Sequence, residues 1–127
     1  MSKISTIRPR VRDLNALEAA LKDMNGTLHR DMKQYVQYGN IKRQCDHVIS
    51  FQGKNMEMGL IKQDNGEYEL EYDHMLDSLV GEGAGKLMDK YNMKKSFSEA
   101  VAMGYGASEY TVDKDGTHEM VVYVQEF

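Results

Sequence analysis

Gly81-Glu82-Gly83-Ala84-Gly85-Lys86 is the stretch whose residue types most readily suggest chemistry. A glycine-rich loop opening a helix presents backbone N–H groups to a phosphate. The phosphate-binding loop needs four residues between its first glycine and Gly-Lys, and then Ser or Thr. Counting from Gly81 leaves three, and Leu87 follows Lys86, so a hinge is expected here. His29, His47, His74 and His118 are the histidines, and none stands at a helical ligand spacing from another. Cys45 and His47 would share one face of a strand, but Asp46 would point the other way, and two ligands do not hold a metal. As a nucleophile Cys45 has Lys42 and Arg43 nearby to lower its pKa, but no histidine placed as base. An ordinary half-buried cysteine is expected.

Two rows of charge remain. Glu67, Glu69 and Glu71 alternate along one strand face about 7 Å apart. A solvated face offers nothing to split their pKa values, as acid–base pairs require, but it can meet a basic partner. Lys3, Arg8, Arg10 and Arg12, with Lys42 and Arg43, form the basic set. Interleaved with Tyr35, Tyr38 and Tyr110, these residues would make stacking platforms for single-stranded nucleic acid.

The elements that position these residues follow from periodicity. Ile4 to Val11 reads as a strand with Ile7 and Val11 inward and Arg8 and Arg10 outward, and Pro9 places it at an edge. Asp13 is a helix N-cap, and Leu14, Leu17, Leu21 and Met24 form one apolar stripe ending at Asn25-Gly26. Residues 27–45 are irregular, with Tyr35, Val36, Tyr38 and Ile41 offering a short strand or an ordered loop. His47–Phe51 is a strand, Gly53 turns it, and Met56–Ile61 is the next. Asn65-Gly66 then predicts a hairpin into the alternating Tyr68, Leu70 and Tyr72. A link from Asp73 to Gly85 holds a helical turn at His74–Val80. A helix over Ala84–Met103 buries Leu87, Tyr91, Phe97, Ala100 and Val101 and stops at Gly104. Tyr105–Val112 is a strand, Asp113 to Gly116 a turn, and Met120–Val124, apolar on both faces, an interior strand.

The chain has 127 residues, 41% apolar and 28% charged, with one proline. That bounds it to one domain, residues 1–127, with no linker and no disorder. No apolar run approaches a membrane span, and Met1 to Thr6 lack a signal peptide's apolar core. One cysteine excludes an internal disulfide and any Cys-rich metal site, so a cytoplasmic location is expected. The net charge of −4 argues against a dedicated duplex-DNA binder. Ten methionines read as adaptable core filling.

The order of these pieces resembles a known family, that of the hypothetical chloroplast reading frame thirty-five protein, a domain of unknown function. The resemblance rests on Ser5-Thr6-Ile7, Asp13-Leu14, Ala16-Leu17 and Ala20-Leu21, then Cys45 to Ile49 and Met58-Gly59-Leu60. It continues through Asn65 to Leu70, Lys90-Tyr91, Glu99-Ala100, Gly104-Tyr105, Asp115-Gly116-Thr117 and Met120-Val121-Val122. Relatives carry a Trp-containing segment where this chain has His74-Met75-Leu76 and Gly81-Glu82-Gly83. The resemblance implies relatives in cyanobacteria, algal plastids and bacteriophages. It brings no catalytic residues, and it implies an accessory role beside ATPases of the AAA+ class.

The expected fold is α+β, a single antiparallel sheet of five to seven strands with two main helices on one face. Leu17, Leu21, Ile49, Leu70, Tyr91, Val101 and Val122 are the expected core. The expected function is that of a small non-enzymatic interaction or accessory protein without cofactor or metal. The alternative is a single-stranded nucleic-acid-binding module. Arg8, Arg10, Arg12, Lys42 and Arg43 are the expected interaction surface, toward a protein partner or a second copy of the chain and not toward a membrane. Pro9 at an edge, with the glutamates inside a hairpin, places the two charged rows apart, each free to steer a partner of opposite sign.

Overall fold

The structure is a computed structural model that describes the backbone of residues 4–103, 105–112 and 118–124 and the side chains of residues 11–103. Strand β1 (Ile4–Val11) leads into helix α1 (Leu14–Lys22). Asp13 caps that helix through a hydrogen bond that its side chain accepts from the Ala16 N–H at 3.0 Å. The apolar spacing buries Ala16, Leu17, Ala20 and Leu21. Asn25 supplies the left-handed backbone after the helix, at φ 56°. Gly26 already begins β2 (Gly26–His29), where a Cβ would lie 3.0 Å from both Leu21 and Phe51 side-chain atoms. The glycine is needed for close approach of strand to helix rather than for the cap.

Next come β3 (Gln34–Gln37), β4 (Ile41–Gln44), β5 (His47–Phe51), β6 (Met58–Lys62) and β7 (Tyr68–Asp73). The main sheet has the order β1-β7-β6-β5-β2 and is antiparallel throughout. The predicted hairpin is present: Met58 pairs with Tyr72 and Leu60 with Leu70, around a turn in which Gly66 sits at φ 84° and donates to Gln63 O. After β7 a 3-10 turn (His74–Leu76), helix α2 (Asp77–Val80) and a second 3-10 turn (Glu82–Ala84) lead into helix α3 (Gly85–Ala102). Strands β8 (Tyr105–Val112) and β9 (His118–Val124) close the described order.

Alternation sends Leu28, Ile49, Phe51, Met58, Leu60, Leu70 and Tyr72 to one face of the sheet, where they join Leu17, Leu21, Leu87 and Tyr91 in one core. This is the inner face, and the opposite one is the outer. The Tyr91 hydroxyl accepts from the backbone N–H groups of Arg12 and Asp13, at 3.0 and 3.2 Å, and so fixes α3 to the link between β1 and α1.

The α+β class stands, but the single sheet does not. The strands divide into the five-stranded sheet and two separate pairs, β3-β4 and β8-β9. Three strands of four residues, too short to show a period, occupy the stretch 26–44, and β3 is the short strand offered at Tyr35 and Val36. Met120–Val124 falls in β9, which pairs with β8 in a two-stranded sheet and is not interior to the main one. In α3 the expected burial holds for Leu87 and Tyr91, while Phe97 and Val101 are 38% and 50% exposed. Phe97 lines an open cavity with Asn15, Ala16 and Ala19 of α1, so the two helices do not close over it. The burial of Val122, the stop at Gly104 and the turn at Asp113 to Gly116 lie outside the described residues.

Candidate functional site

The β3–β4 hairpin lies on the outer face of the main sheet, and Gly59 makes that possible. Val48, Gly59 and Glu71 stand side by side across β5, β6 and β7. The Tyr35 ring occupies the space above Gly59, where an added Cβ would come within 2.4 Å of it. The Tyr35 hydroxyl donates to Glu71 Oε1 at 2.7 Å, and Arg43 Nε donates to the same oxygen at 3.0 Å. Burial and the carboxylate together hold the Tyr35 phenol well above its ordinary pKa. At the strand edge Val36 and Glu57 exchange hydrogen bonds, Val36 N–H to Glu57 Oε1 and Glu57 N–H to Val36 O, both 2.8 Å. The hairpin is thus bolted to the sheet by a buried phenol, an ion pair and a backbone bridge.

The predicted basic surface is divided by this geometry. Arg43 pairs with Glu71, and Arg12 pairs with Glu67 at 2.7 Å. These two sit at opposite ends of the acidic row, about 13 Å apart along the strand. Lys42 alternates with Arg43 and lines a shallow cavity with Met32, Lys33, Val36 and Glu57. The side chains of Lys3, Arg8, Arg10 and Tyr110 lie outside the described residues. Arg8 and Arg10 belong to β1, which is hydrogen-bonded to β7, with Thr6 opposite Glu71 and Ile7 opposite Leu70. The basic and acidic rows therefore stand on neighbouring strands, which corrects the expectation that they lie apart. The acidic row is not solvated either, since the Glu67 and Glu71 side chains are only 16% and 19% exposed. Pro9 did mark an edge strand correctly: β1 ends the main sheet, and its register with β7 is interrupted between Ile7 and Val11.

The remaining sequence candidates have ordinary settings. His29 Nε2 lies 2.7 Å from Ser50 Oγ, and His74 stands beside Asp73 at 3.7 Å. Among the described residues no group of three His, Cys, Asp or Glu side chains comes together as a metal site. Cys45 precedes β5 rather than lying on it, and its thiol donates to Met32 O. Burial, with Asp46 and Glu57 nearby, pushes the thiol up to about 11, the reverse of the lowering expected from Lys42 and Arg43. The Gly81–Lys86 stretch is a built turn, not a loose hinge. Gly81 takes φ 86° against the Lys86 backbone, the Ala84 N–H donates to Gly81 O at 2.9 Å, and Ala84 is fully buried. Tyr35 is likewise buried, which removes it as a stacking platform, while Tyr38 is more than half exposed.

One cluster escaped sequence reasoning. At the end of the inner face, beyond the start of α1, Arg12, Arg30, Lys62 and Tyr68 line an open cavity of about 510 Å³. Behind it the buried His47 places Nε2 3.3 Å from the Tyr68 hydroxyl, with the rings 5.3 Å apart, and Nδ1 accepts from the Asp31 N–H at 2.9 Å. Desolvation lowers the His47 pKa. The signal was positional: Arg30 and Lys62 each follow an inward residue, Leu28 and Leu60, by two places. Pairing β2 through β5 to β6 is what brings them to one end of one face.

No curated protein and no solved structure matches the chain. No helix of the described residues is long and apolar enough to cross a membrane. The model of a family described as protein of unknown function (DUF1257) matches residues 20–121, well over half of the length, and the chain belongs to that family.

Proposed function

We propose that this protein is a small non-enzymatic interaction module, an accessory to a larger assembly, and that it contacts its partner through the β3–β4 hairpin. The observation that carries this reading is the hairpin's combination of a fixed base and an apolar surface. Its base is held by Tyr35, Glu71 and Arg43, while Met32, Tyr38 and Ile41 on and beside it are about half exposed. Every residue of β4 is exposed. A rigid base lowers the ordering cost of binding, and exposed aromatic and branched side chains are what interface centres are built from. Lys33 and Lys42 lie on the same side and favour a partner with an acidic rim. The raised pKa of Cys45 takes the chain's one thiol out of nucleophilic use, in keeping with a non-enzymatic role.

The resemblance to the hypothetical chloroplast reading frame thirty-five family supports a finer form of the same reading. In that form the chain serves in a bacteriophage, cyanobacterial or plastid setting, in the cytoplasm or its equivalent, beside an AAA+ ATPase. A single-stranded nucleic-acid module keeps Tyr38 and Lys42 but has the Tyr35 ring buried and Arg12 and Arg43 engaged with glutamates, so it stands second.

The test is affinity purification with mass spectrometry, with and without nuclease, of the wild type and of a Tyr38→Ser, Ile41→Thr double variant, with sedimentation of both. The double variant is expected to keep its melting temperature and to lose a protein that the wild type retains after nuclease. Retention of the same protein by both would overturn the hairpin as contact surface. Co-purification abolished by nuclease would install the nucleic-acid reading, and a wild-type dimer that the variant lacks would make the partner a second copy.

A further inference from the structure

We propose that the cavity at the α1 end of the inner face binds the phosphate group of a small phosphorylated ligand. The site is on the opposite face from the hairpin and does not rest on the interaction reading. Five segments deliver its lining: Arg12 from the link after β1, Leu14 and Asn15 from the first turn of α1, Arg30 from just after β2, Lys62 from the end of β6 and Tyr68 from the start of β7.

The chemistry of the lining is almost entirely that of donors. Arg12 is paired with Glu67. Arg30 is held by Asn15 Oδ1 at 2.8 Å and has no ion pair among the described residues, and neither has Lys62. The Asp13 carboxylate also borders the cavity, but it caps α1 through Ala16 N–H. The Leu14 and Asn15 N–H groups have no acceptor among the described residues, as first-turn groups of a helix generally lack one inside it. Tyr68 adds a last donor. Because Asp31 N–H donates to His47 Nδ1, the ring proton sits on Nε2 and points to the Tyr68 oxygen. The phenol, which is 9% exposed, thus accepts from the histidine and keeps its own proton for another acceptor.

Two cations with no ion pair among the described residues, two first-turn N–H groups and one phenol proton at one cavity match a ligand that only accepts. Arg12 is balanced by Glu67, while Arg30 and Lys62 outnumber the one carboxylate that lines the cavity, Asp13, so an added anion relieves their mutual repulsion. Phosphate satisfies guanidinium, ammonium and N–H donors together, and the positive end of α1 adds to its stabilisation. The cavity, about 510 Å³, exceeds a single tetrahedral anion, which leaves room for an organic body attached to the phosphate.

The experiment is an amide NMR titration of the full chain with inorganic phosphate, at ionic strength held constant with chloride. The amides of Leu14, Asn15 and Tyr68 are expected to shift together and to saturate. Lys62→Met and Arg30→Met should each raise the apparent Kd about fivefold or more, the loss of one charge-assisted contact, while Lys42→Met on the outer side leaves it unchanged. Tyr68→Phe should raise it by about threefold, a neutral hydrogen bond's worth, with the fold retained. Shifts that do not saturate, or an unchanged Kd in Lys62→Met, would overturn the proposal and leave only loose ion screening. Should Arg30→Met fail to fold, Lys62→Met, which removes an exposed side chain, decides the matter.

Discussion

Gly59 carries no functional group, yet it decides how the hairpin sits on the sheet. Adding one methyl there sets carbon against the Tyr35 ring at 2.4 Å and against Cys45 Cβ at 3.1 Å, with both neighbours held. Gly59→Ala is expected to lower stability by about 1–3 kcal/mol, the range for overpacking. Tyr35→Leu removes the ring, so the double variant should cost less than the two single changes summed, as thermal melts of the four proteins can show. An additive cycle would mean that the ring does not rest on Gly59. His47 gives a second prediction at this scale. Its pKa is lowered chiefly by desolvation, so on acidification from about pH 6.5 the unfolded chain takes up a proton before the folded one does. The contribution is complete above pH 6.5 and is lost as the pH falls toward the folded value, by at most about 1.4 kcal/mol per pH unit for one proton. A His47→Gln variant should show a shallower fall of melting temperature between pH 7 and 5 than the wild type. Equal slopes would show that carboxylates alone set the acid limb. At this scale the sequence disclosed residue types but not partners. Asp13 was legible as a cap because its bond reaches only three residues on, whereas Glu71 needed Tyr35 and Arg43, brought from another sheet.

The two long helices show how far periodicity carries. In α1 Leu17 and Leu21 of the stripe are fully buried, Leu14 packs against the core partly buried, and Met24 is buried just beyond the helix, so pattern and burial agree. In α3 the apolar residues continue past Tyr91, but Phe97 lines an open cavity against Asn15, Ala16 and Ala19 of α1 and Val101 is half exposed. Leu17→Ala or Leu21→Ala is expected to cost about 2–5 kcal/mol, the range for a buried leucine. Val101→Ala, half exposed, should cost under about 1 kcal/mol. Urea titrations separate the two, and a Val101→Ala loss equal to that of Leu17→Ala would mean that the second half of α3 is packed in solution. The short strands β2 and β4 were illegible for a different reason, and β3 showed only as a short strand or an ordered loop at Tyr35 and Val36. Four residues give two per face, and β4, Ile-Lys-Arg-Gln, is exposed throughout, so no apolar period exists to be read. The β6–β7 hairpin was legible because its turn chemistry and its alternation are both local.

For the molecule as a whole, topology sorts the contacts by the length of chain they must close. The meander β5-β6-β7 joins neighbours through short connections, while β1 reaches β7 across more than fifty residues, with Val11 opposite Tyr68. That long pairing is why neither the meeting of the charged rows nor the inner-face cavity could be read in advance: both depend on which strands become neighbours, and local sequence does not encode that. It also bears on the order of folding. Loop closure disfavours the distant pairing until a partner surface exists, so the meander is expected to form first and β1 to dock last. Gly66→Ala forces a left-handed backbone at φ 84° on a residue with a Cβ, a cost of about 1 kcal/mol inside the early hairpin. Val11→Ala removes buried methyl groups at the late edge, a loss of about 2 kcal/mol. Stopped-flow chevrons should show Gly66→Ala mainly slowing folding and Val11→Ala mainly speeding unfolding. If Val11→Ala slows folding in proportion to its full stability loss, β1 belongs to the nucleus. The sheet would then assemble from its edge strand rather than from the central hairpin.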